Sequence, residues 1–454
     1  MLGRDAALAA AAALGLPLLL VLAGQAPLLR SLYPAGVFAA AGLLFRRRSP
    51  WYVGLCILAF AFAPLLRRIA DLEAGFEPSS TVLLAPYLPC LWSGLSALAY
   101  CATPGRRHVG SFLLVLGGIA YGLGVAALEE RLLPGLLDAL KWTVGPLLAL
   151  HLLQTPDRRG ATWRVAVLTF VGAGVVMSVY GVVQYVAPAA WDLDWVANVR
   201  LTGMDTAGVP EPYGIRVFGT MNSAGSLGAF LAVAAVLALT LPLPLALPCL
   251  LAFLPGIALC QYRAVWAGVV LSLLVAAVLG PAAARLRLAA AAAAVLLGLA
   301  SLSVVPEIAE TLEARLRSVT ELGSDASGEE RLAQYRLFLA EGRDALAGSG
   351  FGQNNGASLL ASNGAATQGI IDGGILEAYT YLGIIVGSGF FLGLAILFGR
   401  VCRAGRLAPG PAFAYPAIVL GTLAQLPFGS IHTGEMGLGL WIMAGLALAA
   451  APRG

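Results

Sequence analysis

The sequence predicts an all-α fold, a polytopic integral membrane protein of about 12–14 transmembrane helices with one large helical loop on its outer side. Composition is the first observation behind this. Hydrophobic residues make up 59% of the 454, charged residues only 11%, and the mean hydropathy is +0.84. A chain with so little polar surface cannot enclose its apolar segments in water. The second observation is that the apolar residues come in runs long enough to cross about 30 Å of hydrocarbon. The third is the placement of charge. With Met1 inside, Arg46, Arg47, Arg48, Arg106, Arg107, Arg158, Arg159, Arg164, Arg285, Arg287, Arg400, Arg403 and Arg406 all fall in cytoplasmic loops. Asp5 and Asp157 are their only acidic company, as retention of basic residues on the cytoplasmic side requires.

In chain order, candidate spans lie near 6–24, 31–45, 51–66, 80–102, 109–128, 132–153, 164–187, 217–240, 243–260, 264–280, 286–305, 373–399, 411–428 and 434–451. Several are short, and reading two of them as re-entrant gives the lower count. The segment up to Ala26 is expected to be the first span, since no small-residue cleavage site follows its apolar run. The organisation is therefore N-terminal helices over 1–187, an outer loop at 188–216, central helices over 217–305, a large outer loop at 306–372 and C-terminal helices over 373–454. Both termini are expected in the cytoplasm and both large loops in the periplasm of a Gram-negative cell.

The large loop is polar and punctuated by glycine, with the backbone freedom of a binding segment. Within it, Leu332, Tyr335, Leu339 and Leu346 recur at helical steps, with Glu329, Glu330, Glu341 and Asp344 off that face. This predicts an amphipathic helix lying on the outer surface, with Gly348 as its stop. The six cysteines lack any CxxC spacing and sit in or beside apolar runs, which points to packed thiols. The three histidines are equally scattered, so neither a metal site nor a cofactor is expected. No P-loop, dinucleotide fingerprint or internal repeat is present, which argues against a pump driven by nucleotide hydrolysis; no nucleic-acid partner is expected either.

Candidate functional residues cluster at outward-facing junctions. Arg216 lies in GIRVFGTMNSAGSLGAF with Asn222, Arg263 lies in LCQYRAVWAGVV, and Arg331, Arg336 and Arg343 lie on the amphipathic helix beside Tyr335. Any one such arginine also fits the bland role of an interfacial anchor. Arg263 is the sharpest, as the only charge between Leu241 and Pro281. Guanidinium groups bind phosphate in bidentate fashion, so arginines converging here suit a pyrophosphate. Asp138 and Lys141, three residues apart in a span, are expected to pair on one helix face, a structural role first. Glu211, Glu377 and Glu435 sit near the outer surface as candidate acids, bases or sugar ligands, with capping or solvated roles as the alternative. Trp191, Trp195, Tyr213 and Tyr335 can stack on sugar rings or form an interfacial belt.

These segments carry a family resemblance. RVFGTMNSAGSLGAFLA resembles the segment of arginine, glycine and asparagine that enters a span in the superfamily of O-antigen ligases and Wzy-type polysaccharide polymerases. QYRAVWAG resembles its Ser-Arg-Gly-Ala-Trp-like segment, and LAGSGFGQ with IIDGGILEAYTYLGIIVG resembles the Gly-x-Gly turn and helix start after its large loop. The likeness runs from Tyr213 to Gly387, in the expected order. It implies a metal-independent glycosyltransferase that uses undecaprenyl-pyrophosphate-linked glycans at the periplasmic face of the inner membrane, with Arg216 and Arg263 as the motif arginines on the pyrophosphate. Asp372 and Gly373 stand where the ligases carry a His-Asn pair, and Tyr262 replaces a serine. The Asp-containing pattern resembles the polymerases of O-antigen, capsule or exopolysaccharide synthesis, with a chain-length regulator as the candidate partner. It makes Asp372 the leading candidate for the acceptor proton. A ligase acting on lipid A-core and a flippase for lipid-linked sugars are the alternatives; a flippase is expected to carry repeated halves or ionisable residues at mid-membrane.

Overall fold

A computed structural model describes residues 2–103, 107–201, 207–302, 326–340, 343–353, 373–407 and 410–450. Among these the chain is helical throughout, and one isolated antiparallel bridge, Gly208 with Ile215, is its only extended pairing. The helices are α1 (Leu2–Ala10), α2 (Leu16–Leu22), α3 (Leu29–Arg46), α4 (Trp51–Ala74), α5 (Ser93–Cys101), α6 (Val109–Leu128), α7 (Leu132–Gln154), α8 (Arg159–Val186) and α9 (Ala190–Leu201). After these come α10 (Ala224–Ala238), α11 (Leu243–Leu259), α12 (Arg263–Leu279) and α13 (Ala282–Leu302), then α14 (Ala326–Ala340) and α15 (Arg343–Ala347), and last α16 (Gly374–Leu407), α17 (Ala414–Leu423) and α18 (Gly434–Leu448). A π-helical turn, Ala11–Gly15, joins α1 to α2.

Nine helical segments among the described residues are long and apolar enough to cross a membrane, and four shorter ones (α10, α11, α12 and α18) are apolar but have 10–17 residues. The coarse expectation of a many-helix membrane protein therefore holds. Two boundaries differ from the sequence reading. The third span continues past residue 66 to Ala74, because Arg67, Arg68 and Asp71 find partners inside the protein and need no water. The fourth is broken by Pro86 and Pro89 into short 3-10 turns, Thr81–Leu84 and Leu88–Trp92, before α5 begins.

Helix pairing fixes the core. α6 packs on α16, α7 on α18, α8 on α10 and α11, and α12 on α17. Small residues allow close approach: a Cβ at Gly145 of α7 would meet the Trp441 ring of α18 at 2.1 Å, and one at Gly228 of α10 would meet Val265 of α12 at 2.5 Å. All six cysteines are free thiols, with Cys56, Cys90 and Cys260 buried.

The return from the large loop is built into the bundle. α15 ends at Ala347, and Gly348 follows with φ +78°, the stop expected of it. At Gly383, with φ 70° and ψ 170°, α16 loses its helical geometry. The carbonyls of Thr380 and Tyr381, one turn earlier, instead accept the N–H groups of Ser349 and Gly350 at 2.8 and 3.0 Å. Phe351 is fully buried, its N–H donates to the Gly122 carbonyl at 3.0 Å, and its ring packs against Trp142 and Tyr381. Arg131 closes the arrangement by donating to the carbonyls of Ser349 at 2.6 Å and Phe351 at 3.0 Å. Irregular backbone is thus admitted among spans because each exposed group finds a protein partner.

The amphipathic face of α14 needs correction. Tyr335 and Phe338, with Ala345, pack on Leu376, Tyr379 and Ile384, whereas Leu339 and Leu346 are 66% and 49% exposed. Phe338 lies three residues beyond Tyr335 on one side, and Leu339 is rotated about 100° from Phe338, so the contact stripe passes on the other side of Tyr335.

Candidate active site

The site is organised by the turn entering α10. Ser223 has extended backbone and its hydroxyl accepts the Ser226 N–H at 3.0 Å, an N-cap. The residues before it, VFGTMN, form no helix, so their backbone groups depend on α4 and α8. Gln184 of α8 accepts the N–H groups of Phe218 and Gly219 at 3.1 and 2.9 Å. The Thr220 hydroxyl donates to the Ala61 carbonyl of α4 at 2.5 Å. Arg68 of α4 donates to the Gly219 carbonyl at 2.6 Å, to the Met221 carbonyl, and to Asn222 Oδ1 at 3.2 Å. Its Nε meets Asp192 of α9 at 2.8 Å, both side chains being wholly buried. The other Asp192 oxygen accepts the Tyr180 hydroxyl at 2.6 Å, and Phe218 covers the guanidinium at 4.8 Å. A buried charge is tolerable when an opposite charge and hydrogen-bond partners compensate it in this way.

Asn222 so placed borders a cavity of about 330 Å³. Lys141 of α7, Glu435 of α18, Tyr87, Ser79 and Ser80 supply its other polar lining, and Phe60, Leu83, Leu84, Leu137, Leu140 and several prolines supply its apolar wall. Glu435 lies in the first turn of α18; one oxygen accepts the Ser226 hydroxyl at 3.1 Å and the other the Tyr87 hydroxyl at 3.2 Å. Ser226 in turn accepts from Ser223 at 2.8 Å. Lys141 pairs with Asp138 at 3.6 Å, as their spacing predicts. Asp138 also accepts the Gly352 N–H at 2.9 Å, so the tucked loop end reaches the site. Glu377 accepts from the Ser430 hydroxyl and lies within electrostatic reach of Asp138 and Lys141.

Of the residues singled out from sequence, Asn222 faces this cavity. Arg216 and Arg263 do not line it but share a neighbouring junction. The Val217 N–H, next to the exposed Arg216, donates to the Leu259 carbonyl at 3.2 Å, and Arg263 opens α12 four residues after Leu259. Tyr262, directly before Arg263, donates its hydroxyl to the Phe428 carbonyl at 2.7 Å and sets its ring against Gly225, next to the Ser226 that bonds Glu435. Glu211 is exposed in the turn from Val209 to Gly214, away from the cavity, and Arg336 is exposed on α14. Tyr335 is half-buried against Tyr379. Trp195 is buried against Phe218 and offers no open ring face, and Trp191 donates to Tyr180. Asp372, and the side chains of Arg331 and Arg343, lie outside the described residues.

Sequence reasoning missed Arg68, Gln184 and Asp192, which hold the turn without touching the cavity. The Arg67, Arg68 and Asp71 cluster at the end of an apolar run was the available signal. It also passed over His432, which is 2% exposed, edge-on to Trp142 at 4.5 Å, and has no hydrogen-bond partner on either ring nitrogen among the described residues. Burial pushes its pKa down to about 3. Chemically, one end of the bundle thus combines exposed guanidinium groups with an enclosed set of carboxylate, amide and ammonium. No protein-family model matches the chain, and no curated protein matches it.

Proposed function

We propose that this protein is a membrane glycosyltransferase that polymerises undecaprenyl-pyrophosphate-linked oligosaccharide repeats at the periplasmic face of the bacterial inner membrane. The observation that carries the reading is the pairing of two motif arginines at one junction with a partly enclosed polar cavity, connected through Tyr262 on Gly225 and Ser226 on Glu435. The ordered resemblance from Tyr213 to Gly387 and the one-sided placement of arginine support the same assignment. In the reaction an acceptor hydroxyl forms a bond to the anomeric carbon of the donor glycan while the bond from that carbon to the pyrophosphate oxygen breaks. The pyrophosphate leaves with the electron pair against Arg216 and Arg263, an electrostatic contribution of the oxyanion-hole type. Asp372 takes the acceptor proton and returns it to solvent. Direct displacement inverts the anomeric centre.

The test is the lipid-linked glycan pool of a deletion strain. A polymerase defect leaves single repeats on the polyprenyl carrier at the outer face. Long unattached polymer would instead make the protein a ligase to lipid A-core, as the family resemblance also allows, and repeats trapped on the cytoplasmic side would make it a flippase. An unchanged pool would end the reading.

A further inference from the structure

We infer that the cavity bordered by Asn222, Lys141 and Glu435 is the acceptor subsite: it takes a sugar ring of the incoming glycan through its hydroxyls, while the pyrophosphate is kept out of it and held at the Arg216 and Arg263 junction. This rests on the glycosyltransferase reading and divides its two substrates between two places.

Orientation of the polar groups is the first argument. Arg68 donates to Asn222 Oδ1, which fixes the amide so that its NH₂ is free to serve the cavity. Glu435 receives one hydroxyl hydrogen on each oxygen, and a carboxylate has about four acceptor positions, so acceptor capacity remains. Lys141 adds an ammonium whose side chain is 42% exposed. A sugar hydroxyl both donates and accepts; here one such group can donate to Glu435 while accepting from Asn222 or Lys141. The apolar wall of Phe60, Leu137 and Leu140 suits the C–H face of a ring.

Charge supplies the second argument. Glu435 has only hydroxyl partners, and Asp138 stands behind the cavity wall, against the single ammonium of Lys141. Adding a pyrophosphate beside carboxylates that already outnumber the one ammonium would be repulsive. A neutral polyhydroxylated ligand meets no such penalty. Size is the third argument, since about 330 Å³ is at the small end for ligand pockets and fits one or two rings, with the rest of the glycan and both lipids outside.

The experiment uses the full chain in lipid nanodiscs and two probes: the repeat oligosaccharide released by mild acid from the strain's lipid-linked repeats, and inorganic pyrophosphate. Each is titrated as a competitor of polymerisation and for direct binding. Glu435→Gln and Lys141→Met should each weaken the oligosaccharide at least about tenfold while leaving pyrophosphate within about twofold. Arg263→Ala should do the reverse. Two cavity variants are used so that loss of fold in one leaves the other informative, with folded yield read from the elution profile. If Lys141→Met weakens pyrophosphate and spares the oligosaccharide, the cavity is the phosphate site and the inference is overturned. Wild-type protein that binds both probes, with both cavity variants unchanged, removes the subsite alone. Wild-type protein that binds neither removes the glycosyltransferase reading and the subsite with it.

Discussion

Two groups of charges stand near one another at the same end of the bundle and are used in opposite ways. In the first, Asp71 bridges Arg30 at 2.8 Å and Arg67 at 2.6 Å, and Arg68 joins Asp192 while binding backbone carbonyls. Every guanidinium there is spent on the protein itself. In the second, Glu435 is met only by hydroxyls, and Lys141 touches Asp138 at 3.6 Å with much of its side chain open. The difference teaches that burial and charge do not by themselves mark a functional site in a membrane protein. What marks it is bonding capacity left over and turned toward a space.

The first group should break hardest. Arg68→Met leaves Asp192 without its counter-charge and takes the donor from the Met221 and Asn222 acceptors, and removing one partner of a buried pair costs about 3–5 kcal/mol. Folded yield in detergent should collapse, and thermal unfolding of any survivor should drop accordingly. A normal unfolding temperature would show that the network is dispensable and the comparison false.

At the junction, the expected loss is of function with fold intact. Arg263→Ala should lower polymer formation by about 10²–10³, and Arg263→Lys should recover little because an ammonium lacks the bidentate fork. Full activity in the lysine variant would show that charge alone suffices. Asp372→Asn separates two roles by one atom, since Asn caps a helix about as well as Asp but cannot take a proton. Transfer should fall by at least about a hundredfold at unchanged stability. Normal polymerisation by that variant, with Asp372→Ala merely less stable, would reduce the residue to a cap.

His432 sharpens the comparison through pH. Its folded value near 3 against an ordinary 6.5 means that between these limits the unfolded chain binds a proton the folded chain refuses. Its contribution is therefore fully present above about 6.5 and is lost as pH falls toward 3. His432→Phe should flatten the fall in unfolding temperature between pH 7 and 5; an unchanged slope would assign that loss to the carboxylates. The smallest effect on stability belongs to Lys141→Met, because the ammonium is 42% exposed, the 3.6 Å contact is loose, and the buried Asp138 keeps the Gly352 N–H as a partner. Transfer should nonetheless fall at least about tenfold, which is the signature of a group committed to a ligand rather than to the fold.

Much of the architecture was legible in the chain because hydropathy is local. Apolar runs such as 109–128 and 132–153 became α6 and α7 nearly residue for residue. The Asp138 and Lys141 pair was legible for the same reason, since a helix sets their three-residue offset without reference to any neighbour. Spans carrying irregular chemistry were less so: Arg67 and Arg68 looked like the polar end of a helix, and only their partners reveal that the helix continues through them.

The sequence by itself determined that this is a helical membrane protein, roughly where most of its apolar helices fall, and which arginines stand at their edges, because each of these follows from properties of short windows. Tertiary structure alone decided which of those edges meet. Glu435 receives the hydroxyl of Ser226 from 209 residues away, Asp138 the N–H of Gly352 from 214, and Asn222 the guanidinium of Arg68 from 154. No periodicity encodes such distances, because they depend on how each helix is rotated and how closely its small residues let a neighbour approach.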